Sequence, residues 1–339
     1  MIQVYTDSTY LTQEFRKIIF PVLLDIHFTK SEIALENFQI TETIEKAHVV
    51  VVPVAINYFF KHKKLKELNQ FIDQAIALHK LVWVYSAGDY GITFRKDVIV
   101  FRLGGFQSKL TDTEEILPSF VSDAYINLHS TPWQPLQKTF PPKIGFVGQA
   151  NSSVLKIIKE WILHYKVTFS KFFDKSLGDF QSFYPSSYIR YKILKKVSTS
   201  EKIVSDFILR KVYRAGVKTE NEKQKTTLEF FQNIENNLYT ICIRGAGNFS
   251  VRLYETLMMG RIPVVVFSDA KMPLDHYINW KKHIVFTNKK DVVKDVIAFH
   301  NTISNDSLIE MQKKNRDLML GLLQRVNYFK KIYELRNEF

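Results

Sequence analysis

One cysteine, Cys242, is all the chain has, so no disulfide can form within it. It lies in the apolar run LYTICI, where a buried structural thiol is expected rather than a nucleophile. Glycine is scarce as well, 12 in 339 residues. Two glycines close together therefore mark backbone that must turn sharply or approach something closely. No stretch of ~18 apolar residues occurs, which argues against a helix spanning a bilayer. The opening MIQVY reads as a strand and not as a leader. No pair of histidines stands at zinc spacing. The expectation from these absences is a soluble protein in a reducing, cytoplasmic setting, with a peripheral contact to the inner membrane face left open.

What is present points to two cores. The length exceeds what one ordinary core fills, and an apolar share of 46% is enough to build two. Lys and Arg number 47 against 34 Asp and Glu, a net charge of +13. That excess suits an anionic partner such as phosphate, nucleic acid or an acidic membrane face. It suits a solvated lysine-rich surface equally, because the lysines are spread along the chain.

The first part alternates strand and helix patterns. HVVVVPV, LVWVYS and VIVFRL read as buried strands, and FKHKKLKELNQFIDQAIALH carries apolar residues at helical spacing. This rhythm is that of a mostly parallel α/β sheet. Four prolines in STPWQPLQKTFPPK break it. A fresh strand, KIGFVGQA, starts at Lys143, and a helix is expected from Leu155 to Tyr165. The stretch from Lys171 to Ser200 is rich in Phe, Tyr and Ser and has no clear period. Past Asp291 the chain reads as helical.

The most informative segment is RGAGNFSVRLYETLMMGRIPVVV, Arg244 to Val266. It parses as the end of a strand, a loop to Phe249, a helix from Val251 to Met259 and another strand. Ser250 stands where an N-cap is wanted, and Gly260 with Pro263 ends the helix. A loop at the carboxyl end of a parallel strand is where ligands bind in open α/β sheets. The helix N-terminus there attracts anions. Gly245 and Gly247 allow close approach, and Asn248 lies between them and the helix. Arg244 can fork onto a phosphate. Arg252 and Glu255, three apart, share a helix face. A carboxylate there suits the vicinal hydroxyls of a ribose, although a plain surface ion pair has the same spacing. Arg210, in FILRKVYRAG, and Arg102, beside Gly104-Gly105, are further phosphate candidates. Asp275 and Trp280 are candidates to line the same pocket, with Trp280 equally suited to the core.

This run, from Tyr239 to Val266, resembles the exostosin family of glycosyltransferases, in particular its soluble bacterial members. KIGFVGQA, MPLDHYINW and SAGDYG resemble flanking segments of the same family. The resemblance implies the B architecture (GT-B), two Rossmann-like domains facing each other across a cleft. The partition expected is residues 1–135 for the acceptor-side domain, 143–304 for the nucleotide-sugar domain and 305–339 for helices packing back toward the first. It implies an inverting transfer from a nucleotide sugar, UDP by family habit, to a saccharide or lipid-linked saccharide of a surface polysaccharide. By position, Glu255 would hold the ribose, and Arg244 with the loop to Ser250 the diphosphate. Gly148 of KIGFVGQA joins the donor residues.

An inverting displacement needs a base for the acceptor hydroxyl and positive charge for the departing diphosphate. No Asp-x-Asp, the metal-holding signature of the other main glycosyltransferase architecture, occurs. Arginines and helix N-termini are therefore expected to do that work without a metal or other cofactor. Asp89, between Gly88 and Gly91 after LVWVYS, is the first candidate base, and Asp7, after the first strand, the second. Either could instead be a turn carboxylate bonded to its own backbone. Rival readings are an epimerase or phosphorylase on the same fold, a basic nucleic-acid-binding protein and a non-catalytic glycosyltransferase-like subunit. Nucleic acid is not expected as a partner, because YRAGVKTENEKQK mixes acids into its charge and lacks stacking aromatics.

Overall fold

The computed structural model describes residues 1–171, 178–266 and 269–337. Its strands are β1 Ile2–Tyr5, β2 Phe38–Ile40, β3 Val49–Val51, β4 Leu81–Ser86, β5 Ile99–Arg102, β6 Glu114–Ile116, β7 Lys143–Gln149, β8 Val204–Arg210, β9 Tyr239–Cys242, β10 Ile262–Val265 and β11 Val285–Phe286. Five α-helices lie in the first part: α1 Pro21–Leu23, α2 Glu32–Asn37, α3 Ile56–Lys61, α4 Leu65–Ala77 and α5 Ala124–Leu128. In the second part α6 spans Val154–Lys171, α7 Ser186–Ser198, α8 Glu220–Asn236, α9 Val251–Met258 and α10 Val292–Thr302. The tail holds α11 Asn305–Leu320 and α12 Arg325–Asn337.

Two separate sheets form, in the orders β2-β1-β3-β4-β5-β6 and β11-β10-β9-β7-β8. Every pairing within them is parallel. The chain is thus a doubly built α/β protein of two Rossmann-like units. The central strands β3, β5, β9 and β10 are buried along their whole length. That is why their sequences, VVV, IVFR, YTIC and IPVV, are mostly apolar without a polar alternation. In both sheets the second strand in sequence lies outside the first and the third lies on the first's other side. The order therefore reverses between β1 and β3, and between β7 and β9. A crevice at the carboxyl ends of such strands is the place the topology prepares for a ligand.

Two of the edge strands, β8 and β6, have no apolar pattern that marks them. VSDFILR of β8 is part-exposed along most of its length, so it carries no apolar run. β6 buries two acids, Glu114 and Glu115. Each is neutralised from elsewhere, Glu114 by Arg102 at 2.6 Å and Glu115 by Arg336 at 2.5 Å.

The units are not insulated from each other. One apolar cluster joins Val50, Trp83 and Phe101 of the first sheet to Leu253, Tyr254 and Leu257 of α9. The tail divides between them. On α11, Asn315 Nδ2 donates to the carbonyls of Arg261 and His283 at 3.0 and 2.9 Å, in the second unit. α12 crosses to the first, where the Phe329 ring packs on Phe101 and Phe20 and Tyr328 Oη donates to Ile116 O at 2.8 Å. The proline-rich link packs on the second unit. Trp133 Nε1 donates to Met259 O at 2.9 Å, and its ring fills the space beside Gly260, where a Cβ would lie 2.3 Å from it. Gly260 also has φ +62°, so both backbone and space require glycine at the end of α9.

Candidate functional site

Strand β9 ends at Cys242 beside β7, and the loop Arg244–Ser250 leads from it into α9. The loop is drawn tight by Gly245 N–H donating to Phe249 O at 3.4 Å. Ser250 occupies the N-cap with extended backbone, yet its side chain makes no capping bond. The first N–H groups of α9 thus have no side-chain cap. Val251 is exposed and Leu253 buried, so the helix is turned so that Leu253, not Val251, joins Tyr254, Leu257 and Met258 in the core.

The first unit closes over this loop. A Cβ on Gly247 would lie 2.1 Å from the backbone oxygen of Asp89, so only glycine permits that approach. Beside it, Asn248 Nδ2 donates to Gly105 O at 3.2 Å and to Asp269 O at 3.0 Å. Asp269 in turn accepts from Ser108 N at 2.9 Å and Ser108 Oγ at 2.6 Å. Asn248 therefore fastens the two units together. A void of about 10 Å³ remains among Ile116 at the end of β6, the loop leading into α9, and Lys271 and Met272 after β10.

Arg244 is 6% exposed. Its guanidinium lies 4.2 Å from the Tyr184 ring centroid and 5.2 Å from that of Phe106. Among the described residues its hydrogen bonds go only to neutral acceptors: Ala246 O at 3.0 Å, Asn248 Oδ1 at 3.4 Å and Gln181 Oε1 at 3.4 Å. Its Nε is buried without a partner. Burial draws its pKa down, with Tyr184 and Tyr90 opposing. Other cations stand beside it. Arg190 of α7 donates from Nη2 to Arg244 O at 3.1 Å. Lys289, in the turn after β11, holds its Nζ 4.8 Å from the Tyr184 ring centroid; burial and then Arg244 lower its pKa. No carboxylate bonds Arg244 or Lys289 among the described residues. A buried guanidinium without an acid is unfavourable by itself, and this one faces the carboxyl end of a central parallel strand.

Arg252 and Glu255 lie behind this cluster on α9. Arg252 Nη2 donates to Val147 O at 2.6 Å, and its guanidinium lies 4.2 Å from the Phe146 ring centroid. A Cβ on Gly148 would come within 2.8 Å of that Nη2. Gly148 thus makes room for Arg252 at the end of β7. Burial lowers the pKa of Arg252. Glu255 is half-buried, and its carboxylate has no hydrogen bond or ion pair among the described residues; burial pushes its pKa up, with Arg252 opposing.

The remaining arginine candidates are engaged elsewhere. Arg210 bonds Glu229 and donates to Thr226 O at 3.0 Å, both on α8, so its charge is already matched. Arg102 is held by Glu114 and Asp179 at 2.6 and 2.8 Å and by the carbonyls of Gly104 and Tyr90. It is a structural clasp: four of its five N–H donors are engaged and the group is buried. Trp280 is core, its Nε1 donating to Pro273 O at 2.9 Å. Asp275 lies beside His276 at 3.5 Å.

The two candidate bases differ in setting. Asp7 accepts from Thr9 N at 3.0 Å and Thr9 Oγ1 at 2.6 Å, a local turn. Asp89 has an exposed side chain, while the protein packed around its base raises the carboxyl pKa. Its backbone touches the Gly247 loop, and Tyr90 next to it feels both Asp89 and Arg244. The structure therefore brings Asp89, Arg244, Gly245, Gly247 and Asn248 together. Gly148, Arg252 and Glu255 form a neighbouring group, Asp7 is bonded within its own turn, and Arg210 is paired with Glu229 of α8.

Arg190, Tyr184, Gln181 and Lys289 escaped the sequence reading. The first three fall in the aromatic stretch without a period, and Lys289 in an ordinary lysine pair. A cavity of about 380 Å³ at edge strand β2 is lined by Met1, Ile26, Leu35, Phe38, Gln39 and Ile40. With no charged side chain, it offers nothing to an anion.

No protein-family model matches the chain. Among curated proteins, Probable glucuronosyltransferase 47 A of Physcomitrium patens is 31% identical over 85 residues, 25% of this chain and 18% of that protein. A probable glucuronosyltransferase of Oryza sativa subsp. japonica is 26% identical over 84 residues, 25% of this chain and 20% of that one. The chain thus spans about a fifth of the length of the curated relatives it matches. These are plant proteins, so they lend nothing to the bacterial subgroup expected from the sequence. Among solved structures, TarM covers 85% of this chain and 54% of its own at 9% identity and a TM-score of 0.33. The GtfA/B complex covers 86% and 57% at 9% identity and a TM-score of 0.35. Likeness of that degree decides nothing, and the fold class rests on the chain's own two parallel sheets.

Proposed function

We propose that the protein is a glycosyltransferase of the exostosin type, moving a sugar from a nucleotide-sugar donor to a saccharide acceptor with inversion and without a metal. The observation that carries the reading is Arg244. It is a buried guanidinium with only neutral hydrogen-bond partners among the described residues, placed at the switch point of the second sheet beside Arg190 and Lys289. A diphosphate would supply the missing negative charge, with the N–H groups at the start of α9 completing its cradle. The carboxylate of Glu255, without a partner among the described residues, is the acceptor that ribose hydroxyls require. The relatives' names suggest a glucuronosyl donor. UDP as the nucleotide and a surface polysaccharide as the product remain part of the proposal.

In this mechanism the first unit presents the acceptor and the second holds the donor. Asp89 takes the proton from an acceptor hydroxyl. The hydroxyl oxygen bonds to the anomeric carbon as the bond from that carbon to the diphosphate oxygen breaks. The electron pair leaves with the diphosphate, whose growing charge Arg244 and Lys289 meet.

The test is a transfer assay with UDP-glucuronic acid and a panel of other nucleotide sugars, run with and without a chelator. Chelator-insensitive transfer with an inverted anomer is expected. Release of free epimerised sugar nucleotide, or salt-sensitive binding to random oligonucleotides with no transfer, would replace the reading with one of its rivals.

A further inference from the structure

Helix α6 is mounted the wrong way round for a water-soluble protein. A surface helix normally turns its apolar stripe to the core. On α6, Val154, Leu155, Ile158, Trp161, Ile162 and Tyr165 recur at spacings of three and four and fall on one face, and that face points outward. Leu155 is 72% exposed, Ile162 56% and Tyr165 63%, and the helix has no buried residue. The side turned toward the protein is the mixed one, with Lys156, Glu160 and His164 only partly exposed.

We infer that this face is a docking surface for an anionic lipid bilayer. Three observations select that occupant. The stripe is flanked by the exposed Lys159 and Lys166, whose ammonium groups can reach phosphates while their stems lie along the apolar face. On a chain of net charge +13, they oppose the approach of a second copy. Trp161 and Tyr165 stand side by side on it, ring centroids 5.5 Å apart, the residue types that settle at the headgroup level. No described helix is long and apolar enough to cross a membrane, so α6 would lie in the interface plane.

The placement has a functional side. Lys171, at the end of α6, donates to Asp179 O at 2.7 Å, and Asp179 bonds Arg102 and Thr93 of the first unit. A bilayer on α6 would thus lie beside the junction of the two units, where a lipid-linked acceptor could enter. The membrane inference itself does not depend on the glycosyltransferase reading, because vesicle binding is measured without any sugar.

The test is sedimentation of the full chain with vesicles of phosphatidylcholine, with and without phosphatidylglycerol, together with tryptophan emission. Trp83 and Trp280 are buried and Trp133 is half-buried, so a blue shift reports on Trp161. Binding to the anionic vesicles with a blue shift is expected. Combined Leu155→Ser, Ile158→Ser and Ile162→Ser should lower partitioning at least ~10-fold, and Lys159→Glu with Lys166→Glu should do so for anionic vesicles only. These positions are exposed, so circular dichroism and melting should be unchanged. Failure of the wild type to bind anionic vesicles, or equal binding by the triple variant, would overturn the inference. So would a dimer that the same triple variant dissolves, which would assign the face to a second copy of the chain.

Discussion

At the scale of single residues, the site is defined by Arg244 and Glu255, neither of which forms an ion pair among the described residues. Burial raises the Glu255 carboxyl pKa. Stability from its neutral form is present below the unfolded pKa and is lost as pH rises through the folded one. At neutral pH the ionised group therefore weakens the free fold. Glu255→Gln should stabilise the free protein by on the order of 1 kcal/mol in thermal melts, while weakening nucleotide binding about tenfold. A variant that neither melts higher nor binds more weakly would place the ribose elsewhere. Asp89 is raised by the protein around it. As a base it works only when ionised, so transfer should fall as pH drops through that raised pKa. Asp89→Asn should cost ~10²–10⁴-fold in turnover and leave nucleotide affinity unchanged. If Asp7→Asn alone has that effect, the local turn around Asp7 is more open than its bonds to Thr9 indicate.

At the scale of elements, the loop between β9 and α9 is held from both sides. Gly247→Ala would drive a methyl into the Asp89 carbonyl, 2.1 Å away, and must part the two loops. A displacement near 1 Å costs about 10²-fold when reacting groups are positioned across it, so transfer should collapse while the second unit still binds nucleotide. A normal rate in this variant would mean that Asp89 does not work against this loop. This loop was also the most legible part of the sequence. Two glycines, an arginine and an N-cap residue between two apolar runs need no tertiary information to be read. The buried central strands were legible for the same reason, since their apolar residues run on without a polar alternation. β8 and β6 were not, because an edge strand need not be apolar and because Glu114 and Glu115 are buried only by virtue of distant arginines. The ion pairs of Arg210 and Arg102 were hidden on the same ground. Strand-end position identifies an arginine near the ligand face, but Glu229 and Asp179, which take up their charge, lie far along the chain. Arg190 and Tyr184 were hidden because cations and aromatics gather there from separate elements.

At the scale of the whole molecule, the two units share one apolar cluster and a C-terminal helix that bridges them. Phe329 packs between Phe20, Trp83 and Phe101, so Phe329→Ala should cost about 3–5 kcal/mol. Because the cluster continues into α9, a single cooperative melting transition should shift. Two resolved transitions, only one of them moved, would show that the units unfold independently.

The central claim is that the loop beginning at Arg244 holds the diphosphate of a nucleotide sugar. Isothermal titration of UDP into the wild-type protein and into Arg244→Ala tests it most directly. Removing the charged donor should weaken binding by about 1.5–3 kcal/mol, a loss of one to two powers of ten in affinity, with the melting temperature of the free chain not lowered. Equal affinity in the two proteins would contradict the account.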